Sequence, residues 1–207
     1  MSVIDESLDH LVYAAPDLDE AVRHVERLTG VRPVEGGRHP GLGTRNRLLG
    51  LGGRRYLEII GPDPDQPVPD RPRWFGIDDL IEPRLVTWAV RTRDIEDRVE
   101  RSRARGHDPG DAEPMSRRTA DGELLRWRLT ATGGGPVPFL IDWGSTPHPC
   151  DRGLPGVVLA SFTAADPDPD TLCARLEALG ADLDVRAARH PSLTAVLMGS
   201  SGPVTLG

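Results

Sequence analysis

Leu8-Asp9-His10-Leu11-Val12-Tyr13-Ala14-Ala15-Pro16-Asp17-Leu18 is the stretch on which the fold turns. Leu8 to Ala15 reads as a β-strand and Pro16-Asp17 as the turn that ends it. Beyond it Leu18, Ala21, Val22, Val25 and Leu28 recur at helical spacing, and Gly30 is the residue type favoured just past a helix end. The same order returns twice. Leu85 to Thr92 reads as a strand, Asp94 opens a helix carrying Ile95, Val99 and Ser102, and Gly106 closes it. Val157 to Thr163 is again strand-like, with a turn over Pro167 to Asp170. Leu172, Cys173, Leu176 and Leu179 then make an apolar, core-facing stripe before Gly180. Repetition over tens of residues is a fold-level signal that no local propensity supplies.

The segments after the three helices are also alike. Thr44–Gly50 and Arg55–Ile60 flank Gly52-Gly53. Glu123–Thr130 and Val137–Trp143 flank Gly133-Gly134-Gly135. Ala195–Met198 and Val204–Leu206 flank a Ser-Ser-Gly turn. Glycine-rich turns between apolar runs predict hairpins. With one short strand added after each helix, every unit is β-α-β-β-β. The expected class is α+β: tandem βαβββ units forming a half-open curved sheet with helices outside, plus a third, shortened βαββ(β) unit. The expected division is residues 1–148 (units at 8–61 and 84–145, with a linker at 62–83) and a third structural unit at 152–207 that covers a sheet edge. The linker is rich in Pro and Asp, and Trp74 and Phe75 are expected to anchor its far end on the core surface.

Composition prunes the chemistry. The chain has 207 residues, 25 cations that are all arginine, 32 acids and a net charge of -7. Absence of lysine excludes Schiff-base catalysis and a phosphate loop's lysine. Arginine is a fixed charge, so proton transfer falls to the six His, the carboxylates, and the few Cys and Tyr. The acidic balance argues against nucleic acid, and no apolar run approaches the roughly 18 residues of a membrane helix. The N-terminus reads as lacking a signal peptide. The expectation is a cytoplasmic monomer or homodimer with a small-molecule ligand.

The twice-used βαβββ unit resembles the vicinal oxygen chelate superfamily, which includes glyoxalase I, extradiol dioxygenases, methylmalonyl-CoA epimerase and bleomycin-resistance proteins. Leu8-Asp9-His10-Leu11-Val12 with Pro16-Asp17-Leu18 looks like its first strand and helix start. The run from Gly36 to Asn46, with Tyr56-Leu57-Glu58-Ile59-Ile60, resembles the glyoxalase-like domain branch. Pro138 to Gly144 fits that branch's last strand. The resemblance implies a cavity inside the curved sheet and, where a divalent metal is present, ligands from the first and last strand of each unit.

His10 sits at the first-strand ligand position, with Leu8 and Val12 expected on its face. Glu58 lies mid-strand, with Leu57 and Ile59 packed beneath the helix, so it should face the cavity. No cofactor is fixed by these residues. The candidate is one divalent metal (Zn, Ni, Mn or Fe) held by His10, Glu58 and Asp142, although strict alignment with Glu58 selects Ile141 rather than Asp142. No facial set of histidines and a carboxylate is evident. His10 and Glu58 are equally readable as an acid–base pair or as a satisfied structural contact. The glycine-rich run from Gly36 to Asn46 reads as a tight loop at the cavity mouth, with His39, Thr44 and Asn46 toward a substrate. Arg117 could take a carboxylate, and Trp127 could line an apolar wall. His148 beside Cys150 shows no orienting partner in sequence. Two functions stay open: a lyase, isomerase or dioxygenase working through an enolate or oxyanion, and a metal-free sequestering protein of the antibiotic-resistance type.

Overall fold

The computed structural model describes residues 4–119, 121–130 and 134–207. Gly133, in the expected turn of the second unit, lies outside them. The first unit runs β1 (Leu8–Ala14), α1 (Leu18–Thr29), β2 (Val34–His39), β3 (Thr44–Gly50) and β4 (Tyr56–Pro62). The second runs β5 (Arg84–Arg91), α2 (Ile95–Ala104), β6 (Ala112–Arg118), β7 (Leu124–Thr130) and β8 (Phe139–Asp142). The third runs β9 (Val158–Asp166), α3 (Pro169–Leu179), β10 (Asp184–Ala187), β11 (Ser192–Gly199) and β12 (Gly202–Leu206). In the third unit the bracketed strand of the expected βαββ(β) order is present.

Local chemistry sets the helix ends. Asp17, Asp94 and Asp168 each accept a backbone N–H three residues on, satisfying donors that a helix start leaves free. Gly30 and Gly180 end α1 and α3 in the left-handed region. On α3 the buried stripe is Leu172, Leu176 and Leu179; Cys173 is exposed, one step off that face. No helix among the described residues is long and apolar enough to cross a membrane.

Eight strands form a ring in the order β1-β4-β3-β2-β6-β7-β8-β5. In each of the two units the first strand runs parallel to the last, and the two units meet antiparallel along β1 and β5. The expected half-open sheet closes at its far seam through one paired position, Arg38 opposite Arg118. Alternation along each strand then sorts side chains into two cores. Leu11, Leu57, Ile59, Trp88 and Val90 face outward under the helices, while Val12, Tyr56, Ile60, Ala89 and Ile141 face into the ring.

The sheet of the third unit, β10-β9-β11-β12, packs on the outer face of the ring and shares its outer core. Phe162 meets Trp88 edge-on at 5.4 Å, and Leu159, Leu193 and Leu197 are buried beside them. Backbone bonds tie the junction: Gly50 N–H to Pro155 O at 2.8 Å, Val157 N–H to Gly50 O at 2.9 Å, and Leu85 N–H to Gly207 O at 2.8 Å.

Candidate functional site

The ring encloses a cavity of about 550 Å³, its open mouth included. His10, His39, Thr44, Asn46, Glu58, Arg117 and Trp127 all line it. Asp142 does not. On β8 the inward residue is Ile141, and the Asp142 carboxylate accepts the Gly144 N–H outside. Period-two alternation therefore corrects the expected ligand set: His10, Glu58 and Asp142 are not brought together.

His10 is aimed by a bulge. Leu8 pairs with Val90 and His10 with Ala89, so β1 advances two residues while β5 advances one. Asp9 is the extra residue, and the inside–outside phase changes across it. Leu8 thus joins the outer core and His10 the inner one, correcting the expectation that they share a face. The bulge also lets Asp9 reach its neighbour: His10 Nδ1 lies 2.8 Å from Asp9 Oδ1, with the two residues 3% and 0% exposed.

Asp9 was missed by sequence reasoning because a strand neighbour normally points to the opposite face. It is the hub of a buried network. His148 Nε2 approaches it at 3.1 Å, Trp143 Nε1 donates at 3.2 Å, and Arg91 donates at 3.3 Å. Burial alone would raise its pKa, but the bonds from His10 and His148 outweigh that and hold it well below the usual carboxylate range. An ionised Asp9 can only accept, so Nδ1 of His10 carries the proton and Nε2 faces the cavity. His148 is fixed in the complementary tautomer, because its Nδ1 accepts the Cys150 N–H. His148 therefore has an orienting partner after all. Cys150 stays unactivated, its thiol pushed up to about 11 chiefly by burial and donating to Arg55 O.

His10 stacks on Tyr56 at 4.6 Å, and its Nε2 lies 3.7 Å from Glu58 Oε2. Glu58 Oε1 accepts from Asn46 Nδ2 at 2.5 Å. Asn46 Oδ1 in turn accepts from Arg117 Nη1 at 3.3 Å, which fixes the amide's orientation. On the other side of Glu58, His39 Nε2 lies 3.9 Å from Oε1, so two imidazoles flank one carboxylate, an arrangement the sequence did not suggest. His39 Nδ1 contacts Thr44 Oγ1 at 3.0 Å.

Gly36 to Asn46 is not a loop but the β2–β3 hairpin. Its glycines serve the side chains that cross it. A Cβ on Gly36 would stand 2.1 Å from Asn46 Oδ1 and 3.0 Å from Arg117 Nη1; one on Gly37 would meet Arg117 Cγ at 2.9 Å. Trp74 and Phe75 pack against the inner core, as expected, and there also close the cavity wall, with Phe75 stacked against Phe139 at 6.2 Å. Phe75 holds φ at 61°, a conformation that costs a non-glycine residue about 1–3 kcal/mol.

The donor set does not fit a divalent metal. Glu58 Oε1 is already engaged by Asn46, and the Arg117 cation shares the wall. Among the described residues no group of three or more His, Cys, Asp or Glu is disposed to hold a metal ion.

His39 supplies a test of these electrostatics. Burial, seconded by the Arg117 charge, lowers its pKa from 6.5 to about 4. The unfolded chain therefore binds a proton that the folded chain rejects between those values. Stability should be full above pH 6.5 and fall as the pH drops toward 4. Denaturant titrations across that window should show this slope flattened in His39→Gln. An unchanged slope would contradict the neutral assignment.

A family model described as a glyoxalase-like domain matches residues 8–180. No curated protein matches the chain. Among solved structures, a hypothetical protein from Staphylococcus aureus is similar with a TM-score of 0.66 at 13% identity, over 89% of this chain and 87% of that one. A mutant 4-hydroxymandelate synthase from Streptomyces coelicolor is similar with a TM-score of 0.53 at 15% identity, over 99% and 63%. Methylmalonyl-CoA epimerase from Mycobacterium tuberculosis gives 0.43 at 18% identity, over 71% and 93%. At these identities the likeness is one of fold.

Proposed function

The chain belongs to the glyoxalase-like domain family of the vicinal oxygen chelate superfamily, and on that premise we propose that it is a lyase or isomerase that moves a proton next to a carbonyl. One observation carries this reading: the buried Asp9–His10 contact at 2.8 Å, which turns His10 Nε2 toward the cavity as a base. His10 would take a proton from the carbon beside a carbonyl. The C–H electron pair would form the enolate double bond, and the carbonyl π pair would move to oxygen. His39, kept neutral by burial, is left to donate to that oxygen. Return of the proton from His10 completes an exchange or an isomerisation. Residues 152–207 act in this reading as scaffold, because their sheet packs behind β5, the strand paired with the one that carries His10.

A panel of 2-oxo acids and 1,3-dicarbonyl compounds, incubated with the protein in deuterium oxide, tests the proposal by proton NMR. The signal next to the carbonyl should vanish faster than in buffer for at least one compound, and His10→Gln should abolish the difference. No exchange above buffer for any of them would sink it. A sequestering protein is the second reading, favoured by a site whose polar groups already bond one another, as Asn46 does Glu58. Stoichiometric binding without exchange, unaffected by combined His10→Ala and Glu58→Ala, would select it.

A further inference from the structure

Proton transfer does not account for Arg117. This guanidinium is 4% exposed on β6, inside the ring. A buried cation is strongly disfavoured unless a partner offsets its lost hydration. The chain has 32 acids, yet among the described residues none lies within ion-pair distance of Arg117. Its hydrogen bond there goes to a neutral amide, Asn46, at 3.3 Å, and its buried Nε has no partner. Asn46 stands between it and Glu58, so the nearest carboxylate is spent on the amide. Glycine at 36 and 37 leaves the room this arrangement occupies. The fold thus builds and buries a cation while keeping its own anions off it.

We infer that the cavity takes a small ring-bearing monocarboxylate, with its carboxylate on Arg117 and its ring among the aromatic walls. The headgroup is set by the fork geometry of a guanidinium, which matches a planar carboxylate. A single charge is set by the one arginine among the cavity-lining residues, which shares the wall with Glu58; a dianion would meet that carboxylate's repulsion. The flat apolar body is set by the walls, where Tyr56, Phe75, Phe139 and Trp143 present rings. A second unspent donor lies nearby. Trp127 Nε1 is buried without a partner, and Trp127 pairs across the sheet with Met115, two residues from Arg117 on the same face. Rings and spare donors therefore sit on the β6–β7 side, with the Asp9–His10 base on β1. The inference rests on the proton-transfer reading for which end of the ligand meets His10, and stands without it for the class of ligand.

The test is a calorimetric titration of the full chain with benzoate, its neutral twin benzamide, acetate and phenyl phosphate. Benzoate should bind at least about tenfold more tightly than benzamide, as expected for charge-assisted bonds, and more tightly than acetate. Arg117→Met, which keeps volume without charge, should lose the preference for benzoate over benzamide. Arg117→Lys should keep part of it. Equal binding of benzoate and benzamide by the wild type would overturn the inference, and that comparison needs no variant to fold. Tighter binding of phenyl phosphate, or of acetate, would overturn the headgroup or the ring. Absence of proton exchange in the wild type, with Arg117-dependent benzoate binding present, would reject the catalytic proposal and not this one.

Discussion

Asp9→Ala should lower the unfolding free energy by about 3–5 kcal/mol, the range for removing one partner of a buried charge network. Four donors converge on that carboxylate: His10, His148, Trp143 and Arg91. Alanine leaves the first three buried without an acceptor, each a desolvated polar group that water no longer satisfies. The pH dependence has a definite sign. Because the folded pKa of Asp9 is depressed, its contribution is complete above the unfolded value of 3.8 and is lost as pH falls below it. Asp9→Asn separates structure from chemistry. It preserves shape and should cost less stability, but it no longer restricts the His10 proton to Nδ1. In this variant any exchange activity should drop far more than the fold is weakened. Denaturant unfolding of both variants checks this, and a loss below about 1 kcal/mol for Asp9→Ala would show that the network is not held as described.

Trp88→Ala should be comparably damaging, at about 3–5 kcal/mol, as is usual for truncating a buried aromatic ring. Trp88 is fully buried and faces outward from β5, where Phe162 of the third sheet meets it edge-on and its indole N–H donates to Pro136 O at 2.8 Å. The cavity it leaves would lie between ring and sheet, in the core both share. Wild type should accordingly unfold in a single transition, and the variant should either shift that transition or split it. Because Trp88 does not line the cavity, benzoate binding by folded Trp88→Ala should match the wild type. A shift below about 1 kcal/mol would mean that the third sheet is only loosely attached.

The residues most legible in the sequence were those whose neighbours are local. Asp94 as a helix start and Gly30 and Gly180 as ends reflect backbone donors and a left-handed turn, which a few consecutive residues specify. Glu58 inside and Leu57 and Ile59 outside come from alternation alone. Features that needed the folded chain depended on a break in that regularity or on distant strands. The bulge at Asp9 overturned the parity that would have hidden its carboxylate from His10, and nothing in Leu8-Asp9-His10 marks it. His148, 139 residues away, completes the same network. The Gly36-Gly37 pair looked like a loop because its partners, Asn46 and Arg117, arrive from two other strands. Local pattern was enough for the repeated unit, the α+β class and the strands that carry the inward residues. Three-dimensional packing was required to settle which acid orients His10 and which face Asp142 takes. It also decided that the buried Arg117 pairs with no carboxylate among the described residues. Those facts are set by register and ring closure, and one residue of register moves a side chain from wall to cavity.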